Sequence, residues 1–152
     1  MNRAISPVIG IVLLAACTVL LSVTVGAMAF AYEPSKPASV VVISGEVDAP
    51  ENEITLTLER GGPLDVHELS LMVEIDGGTL EKQPPVPFVG STGFSTPSGP
   101  FNERADSNWS RGESGTIGIA TTTNSPHPEP GSTVEIRIFE NDLPIATVET
   151  TA

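Results

Sequence analysis

Between Ile5 and Ala31 the chain carries no charged residue, and this apolar run restricts its possible folds more than any other feature. A helix of about 25 residues at 1.5 Å per residue is roughly 38 Å long, more than the ~30 Å hydrocarbon core of a bilayer. Ser6 and Pro7 suit the start of such a helix. A serine hydroxyl can cap free amides, and proline at the first helical position gives up no bond the helix would have made. At the far end Tyr32 suits a membrane interface, and Glu33-Pro34 forces an exit. A helix apolar on nearly every side faces lipid or lies buried among other helices. Its small residues, Gly10, Ala15, Ala16, Ser22, Gly26 and Ala29, permit close helix packing.

Charge divides the chain sharply. All 19 acidic residues and six of the seven basic ones lie from Glu33 onward; six against 19 leaves −13 on that portion. Arg3 on one side and the acids on the other predict a cytoplasmic N-terminus and an exterior domain. Nucleic acid is disfavoured as a partner, because phosphate contacts need clustered Lys and Arg. Lys36 and Lys82 are the only lysines. Heavy acidity with so little lysine fits a surface kept hydrated in concentrated salt, a halophilic setting. Cys17 is the only cysteine and lies in the apolar run, so no intrachain disulfide can form and packing alone must hold the exterior domain together.

Four fates are open to the N-terminal segment. It can be a plain membrane anchor, or a secretory signal cut after Ala29 or Ala31, although its apolar region is long for one. Leu14-Ala15-Ala16-Cys17 has the form of a lipobox, yet Thr18-Val19-Leu20-Leu21 continues apolar where a polar tether is expected. Without lipidation, Cys17 is simply a small buried hydrophobe. The fourth fate follows from Arg3-Ala4 and the hexapeptide Ile5-Ser6-Pro7-Val8-Ile9-Gly10 ahead of the helix. This start resembles that of archaeal, particularly haloarchaeal, type IV pilins, which carry a class III signal peptide.

The resemblance implies cleavage by a prepilin peptidase between Ala4 and Ile5, with Arg3 and Ala4 as the recognition pair. The helix would then be retained, extracted from the membrane and packed against its copies as a filament core, with Ser6, Pro7, Val8, Ile9 and Gly10 opening the assembly segment. The implied partners are identical or related pilins, the peptidase and the pilus assembly machinery. Bacterial pilins carry glutamate at the fifth mature position, where this chain has Ile9. The archaeal proteins it resembles usually lack that glutamate too, which removes a charged pair as the device setting subunit register.

Residues 33–38 read as a linker. Beyond it, period-two or β-branched runs at 39–44, 53–59, 68–75, 116–121, 133–139 and 145–150 predict strands. Asp48-Ala49-Pro50, Gly61-Gly62-Pro63, Asp76-Gly77-Gly78 and Asn141-Asp142 punctuate them as turns. The expected fold is α+β, one long N-terminal helix followed by a mainly antiparallel, immunoglobulin-like β-sandwich over residues 39–152. Leu58 to Val73, with its Gly61-Gly62 turn, resembles the strand–Gly-Gly–strand element of haloarchaeal pilin-type proteins. Gly131 to Ala146 is similar to their final hairpin. The Pro- and Gly-rich stretch from Gln83 to Gly112 reads as a long exposed loop, in which Phe88, Phe94, Phe101 and Trp109 either pin the loop down, the favoured reading, or contact a partner.

Asn108-Trp109-Ser110 is an N-glycosylation sequon. Signals for catalysis are missing: His67 and His127 are far apart, no zinc spacing occurs, and no nucleophile elbow or phosphate loop is present. Asp48, Glu51 and Glu53 lack the glycine-turned calcium loop and read as a solvated acidic turn. No metal, cofactor or catalytic residue is therefore expected. The leading expectation is a filament subunit of the cell surface, held in the membrane before assembly and serving adhesion. The alternative is a monomeric, single-pass anchored ectodomain acting as a binding or sensory module.

Overall fold

The computed structural model describes residues 5–31 and 40–152. The leader (1–4), Tyr32 and the linker (33–38) lie outside the described residues. The chain divides into two compact units, an N-terminal helix and a β-rich domain.

Helix α1 spans Ile5–Ala31. It begins one residue before Ser6, so Ser6 lies inside the first turn instead of capping it from outside, and Pro7 is the third helical residue. The cost of proline is still nil there, because the first four amides of a helix have no partner within it.

In the domain, β1 (Val42–Asp48) and β2 (Glu53–Arg60) form a hairpin, closed by Asn52 at φ 56°. The inward residues of β2, Ile54, Leu56 and Leu58, are fully buried, and Thr55 and Thr57 alternate outward as period-two patterning demands. After a two-residue strand β3 (Leu64–Asp65), the chain crosses to β4 (Leu69–Ile75), which turns through Asp76-Gly77 into the short β5 (Gly78–Thr79). Strand β6 (Asn108–Trp109) pairs with β3; β7 (Ser114–Gly118) returns beside β2. Strands β8 (Thr133–Glu140) and β9 (Leu143–Thr151) form the last hairpin. Its two turn residues, Asn141 and Asp142, both have positive φ, as the tight turns that suit twisted hairpins require.

Besides the two-stranded β3-β6 pair, the sheets are β1-β2-β7 and β5-β4-β8-β9, and all their strand pairs are antiparallel. In immunoglobulin lettering this is A-B-E facing C′-C-F-G, with the chain passing between sheets after β2, after β5 and after β7. The inward residues of both sheets belong to one core that includes Leu56, Leu58, Val73, Val134, Ile136 and Ile138. The fold is thus the expected α+β arrangement.

Besides the strand expected at 116–121, which runs Ser114–Gly118, two local expectations need correction. The first strand starts at Val42 instead of residue 39 and runs on to Asp48. Four consecutive β-branched residues cannot all face inward, and it is Ile43 and Val47 that the pairing with β2 buries, leaving Val40 72% exposed. Gly45 is needed in mid-strand because a Cβ there would stand 2.7 Å from the Val148 side chain of β9.

The second correction concerns residues 83–112, which form a long connection that is not an exposed one. Pro84, Val86, Phe88, Phe94, Pro100, Phe101 and Trp109 are buried. Phe101 and Trp109 meet edge to face at 5.1 Å, Phe88 and Phe94 at 5.9 Å, and Trp109 Nε1 donates to the Glu113 carbonyl at 2.8 Å. A side chain at Gly115 would overlap the Phe101 ring. Residues 95–98 also cover the free edge of β7, with Ser95 N–H donating to Gly118 O (2.9 Å) and Ser98 N–H to Thr116 O (3.0 Å). The four aromatics are thus packing residues, as expected of them.

Candidate functional site

Arg3 and Ala4 fall outside the described residues. Ile5 and Ser6 open the helix, and Pro7, Val8, Ile9 and Gly10 follow in its first two turns with their side chains exposed. From Pro7 through Val25 every residue is exposed, Cys17 included, so nothing in the described chain buries that cysteine. Pro7–Gly26, 20 residues, is long and apolar enough to cross a membrane, and the same properties suit a signal sequence.

The helix is internally prepared for an apolar environment. Its three described hydroxyls all return their protons to its own backbone: Thr18 Oγ1 donates to Ala15 O (2.8 Å), Ser22 Oγ to Thr18 O (2.8 Å) and Thr24 Oγ1 to Leu21 O (2.9 Å). That removes the cost of carrying bare hydroxyls away from water. A Cβ added at Gly10 or Gly26 would meet nothing within 4 Å, so no contact within the described chain requires glycine there. Glycine costs about 1 kcal/mol relative to alanine in a helix interior. No acidic residue occupies the first turn and no basic residue the last, so the helix dipole is not offset by its own side chains.

In the domain, Asn108 is exposed on β6. Its amide Nδ2 donates to Asp106 Oδ1 at 3.0 Å, as does its backbone N–H. These two bonds hold the Asp106 carboxyl below its ordinary range, the backbone bond contributing most. The middle residue of the sequon, Trp109, is completely buried. His67 lies in the turn between β3 and β4 and His127 in the connection before β8; among the described residues no three His, Cys, Asp or Glu side chains gather as a metal site. Asp48 Oδ1 accepts from Glu51 N–H at 3.2 Å, which makes the acidic stretch 48–53 a hairpin turn.

Two features of the outer face of the β5-β4-β8-β9 sheet escape sequence reasoning. Register sets Glu74 opposite Glu135 and Glu135 opposite Glu149, three glutamates in one cross-strand row. Like charges in that arrangement repel. Arg137 relieves two of them, bonding Glu135 through Nε and Glu74 through Nη2 at 3.3 Å, and its pKa is raised first by the Glu135 bond. Nearby, Ser70, Leu71, Met72, Gln83, Phe139 and Asp142 line a cleft of about 370 Å³. Pairing register and the position of Gln83 create both features, and neither is visible in local sequence patterns. Comparison with models of known families and with curated proteins returned no match to this chain.

Proposed function

We propose that the chain is a structural subunit of an archaeal type IV pilus or pilus-like surface filament, without catalytic activity, displaying its β-domain for adhesion. In this reading Arg3-Ala4 is the peptidase recognition pair, Ile5 the mature N-terminus, and residues 5–32 the segment that leaves the membrane to pack with other subunits. The observation that supports it is the uncharged helix Ile5–Ala31, in which every residue from Pro7 through Val25 is exposed. Burying one aliphatic side chain is worth about 1.5–3 kcal/mol, so a lattice of such helices is durable once formed. The acidic domain suits an exterior, salt-rich surface.

N-terminal sequencing of the protein recovered from cells tests the reading directly. The expected first residue is Ile5. A chain beginning beyond residue 31 would contradict retention of the helix, and one beginning at Met1 would favour the monomeric, single-pass anchored module. That second reading draws support from the 20-residue apolar length of Pro7–Gly26, which matches one bilayer crossing. An exterior location also makes Asn108 a glycosylation acceptor; a mass increment lost in Asn108→Gln is the expected result.

A further inference from the structure

Strand β4 alternates its backbone partners. Glu68 O accepts from Asn141 N–H, and Asp76 N–H donates to Thr133 O, so the even-numbered residues of this stretch pair toward β8. The odd-numbered residues face the opposite edge. Ile75 is paired with Gly78 of β5. At Val73 a side chain completes the ladder: Gln83 Oε1 accepts from Val73 N–H (2.7 Å), Gln83 Nε2 donates to Val73 O (3.1 Å), and Leu80 N–H also donates to Val73 O (3.2 Å). Leu69 N–H donates back to Val66 O. Leu71 N–H, Leu71 C=O and Leu69 C=O are what remains, and among the described residues no backbone group bonds them. The chain that continues past Gln83 is Pro84-Pro85-Val86-Pro87, three of whose four residues have no N–H to donate.

We infer that this gap, Leu69–Leu71, is a docking edge for an extended peptide segment of a partner, added to the sheet beside β4. Unpaired strand edges are templates for such addition, with backbone bonds supplying affinity and alternate side chains supplying selectivity. The cleft of about 370 Å³ borders this gap at Leu71 and Gln83 and extends over the outer face of β4 toward β8, with outward-facing Met72 and Phe139 as its apolar floor. Its ends are occupied, by Gln83 on one side and by the 3₁₀ turn Val66–Glu68 on the other. A recessed edge of three groups does not meet the equally recessed edge of a second domain, so it admits a slender strand and not a copy of the sheet. Charge narrows the occupant further. Asp142 lines the cleft, and the exposed Glu68 immediately precedes Leu69. The segment is therefore an apolar, β-branched one flanked by lysine or arginine. This holds whatever becomes of the helix.

The test uses the full chain in detergent micelles and a capped hexapeptide, Lys-Val-Thr-Val-Thr-Lys, as the probe. Hydrogen exchange is read by NMR at the Leu71 and Val73 amides. In the free chain Leu71 is expected to exchange faster than Val73, and saturating peptide to slow Leu71 by about tenfold, the scale of one added hydrogen bond, while leaving Val73 unchanged. Ser70→Lys, on the exposed face, is expected to abolish that protection without altering the fold, and replacing both probe lysines by glutamate to weaken binding. Leu71 protected in the free chain, unchanged exchange at saturation, or equal binding by a probe N-methylated along its backbone would each overturn the inference.

Discussion

The helix and the β-domain answer the same problem, apolar surface in water, in opposite ways. The domain buries its own: Leu56, Leu58, Phe101, Trp109, Val134, Ile136 and Ile138 are each 0% exposed. The helix buries none within Pro7–Gly26, and depends on lipid or on other helices for cover. One unit carries its stability inside itself, and the other borrows it from its surroundings. A lesion in either should therefore leave the other intact.

The largest separation of the two is expected from Trp109→Ala. It removes a fully buried ring packed edge to face against Phe101 and should cost the domain about 3–5 kcal/mol, read as a lowered denaturation midpoint by circular dichroism. Membrane association of the same variant should be unchanged. The reverse lesion is Leu14→Arg, near the centre of the apolar helix, which should impair insertion by about 2.5–3.5 kcal/mol in a glycosylation-reporter insertion assay. Its domain should melt as the parent does; a shared loss would mean that the two units fold as one.

Salt sharpens the contrast. With −13 on the portion beyond residue 32 and the row Glu74–Glu135–Glu149 on one face, the domain should gain stability from about 0.1 M to about 1 M salt, as the screening length falls from roughly 10 to 3 Å. Helix insertion has no charge to screen between residues 5 and 31 and should respond little. A domain midpoint indifferent to salt would remove self-repulsion from the account.

The smallest expected effect is acid sensitivity at Asp76. Thr133 N–H donates to Asp76 Oδ1 (2.8 Å) and Ser132 Oγ to Oδ2 (2.8 Å), and these bonds, the first foremost, hold its pKa below the ordinary 3.8. The ionised form is thus favoured on folding. Its contribution is full above the unfolded value and is lost as pH falls through the folded one. Asp76→Asn keeps a residue that tolerates the positive φ of this turn, and should flatten the decline in stability below about pH 4. An unaltered acid limb would assign that decline to other carboxylates.

Much of this arrangement was legible from residue order because it depends on local chemistry. An uncharged run of this length has few fates, and Asp76-Gly77 and Asn141-Asp142 announce left-handed turns by composition. Strands β2, β4 and β8 alternate strictly and lie within two residues of their expected bounds. The Val40–Ile43 run misled because β-branching alone does not reveal which of four adjacent residues a neighbour will bury. The connection 83–112 misled because its prolines and glycines signal irregular backbone, and irregular backbone is not necessarily exposed backbone. Strands β3, β5 and β6, two residues each, have no periodicity to read.

By itself, then, the order of residues determined the division into apolar helix and acidic β-domain, and the alternation that makes a two-faced sheet, since both follow from side-chain hydrophobicity and spacing. Only the tertiary structure decided that Gln83 completes the ladder at Val73, that the neighbouring groups of Leu71 are left open, and that three glutamates share a row. Those outcomes depend on which strands become neighbours and in what register, and distant parts of the chain settle that together.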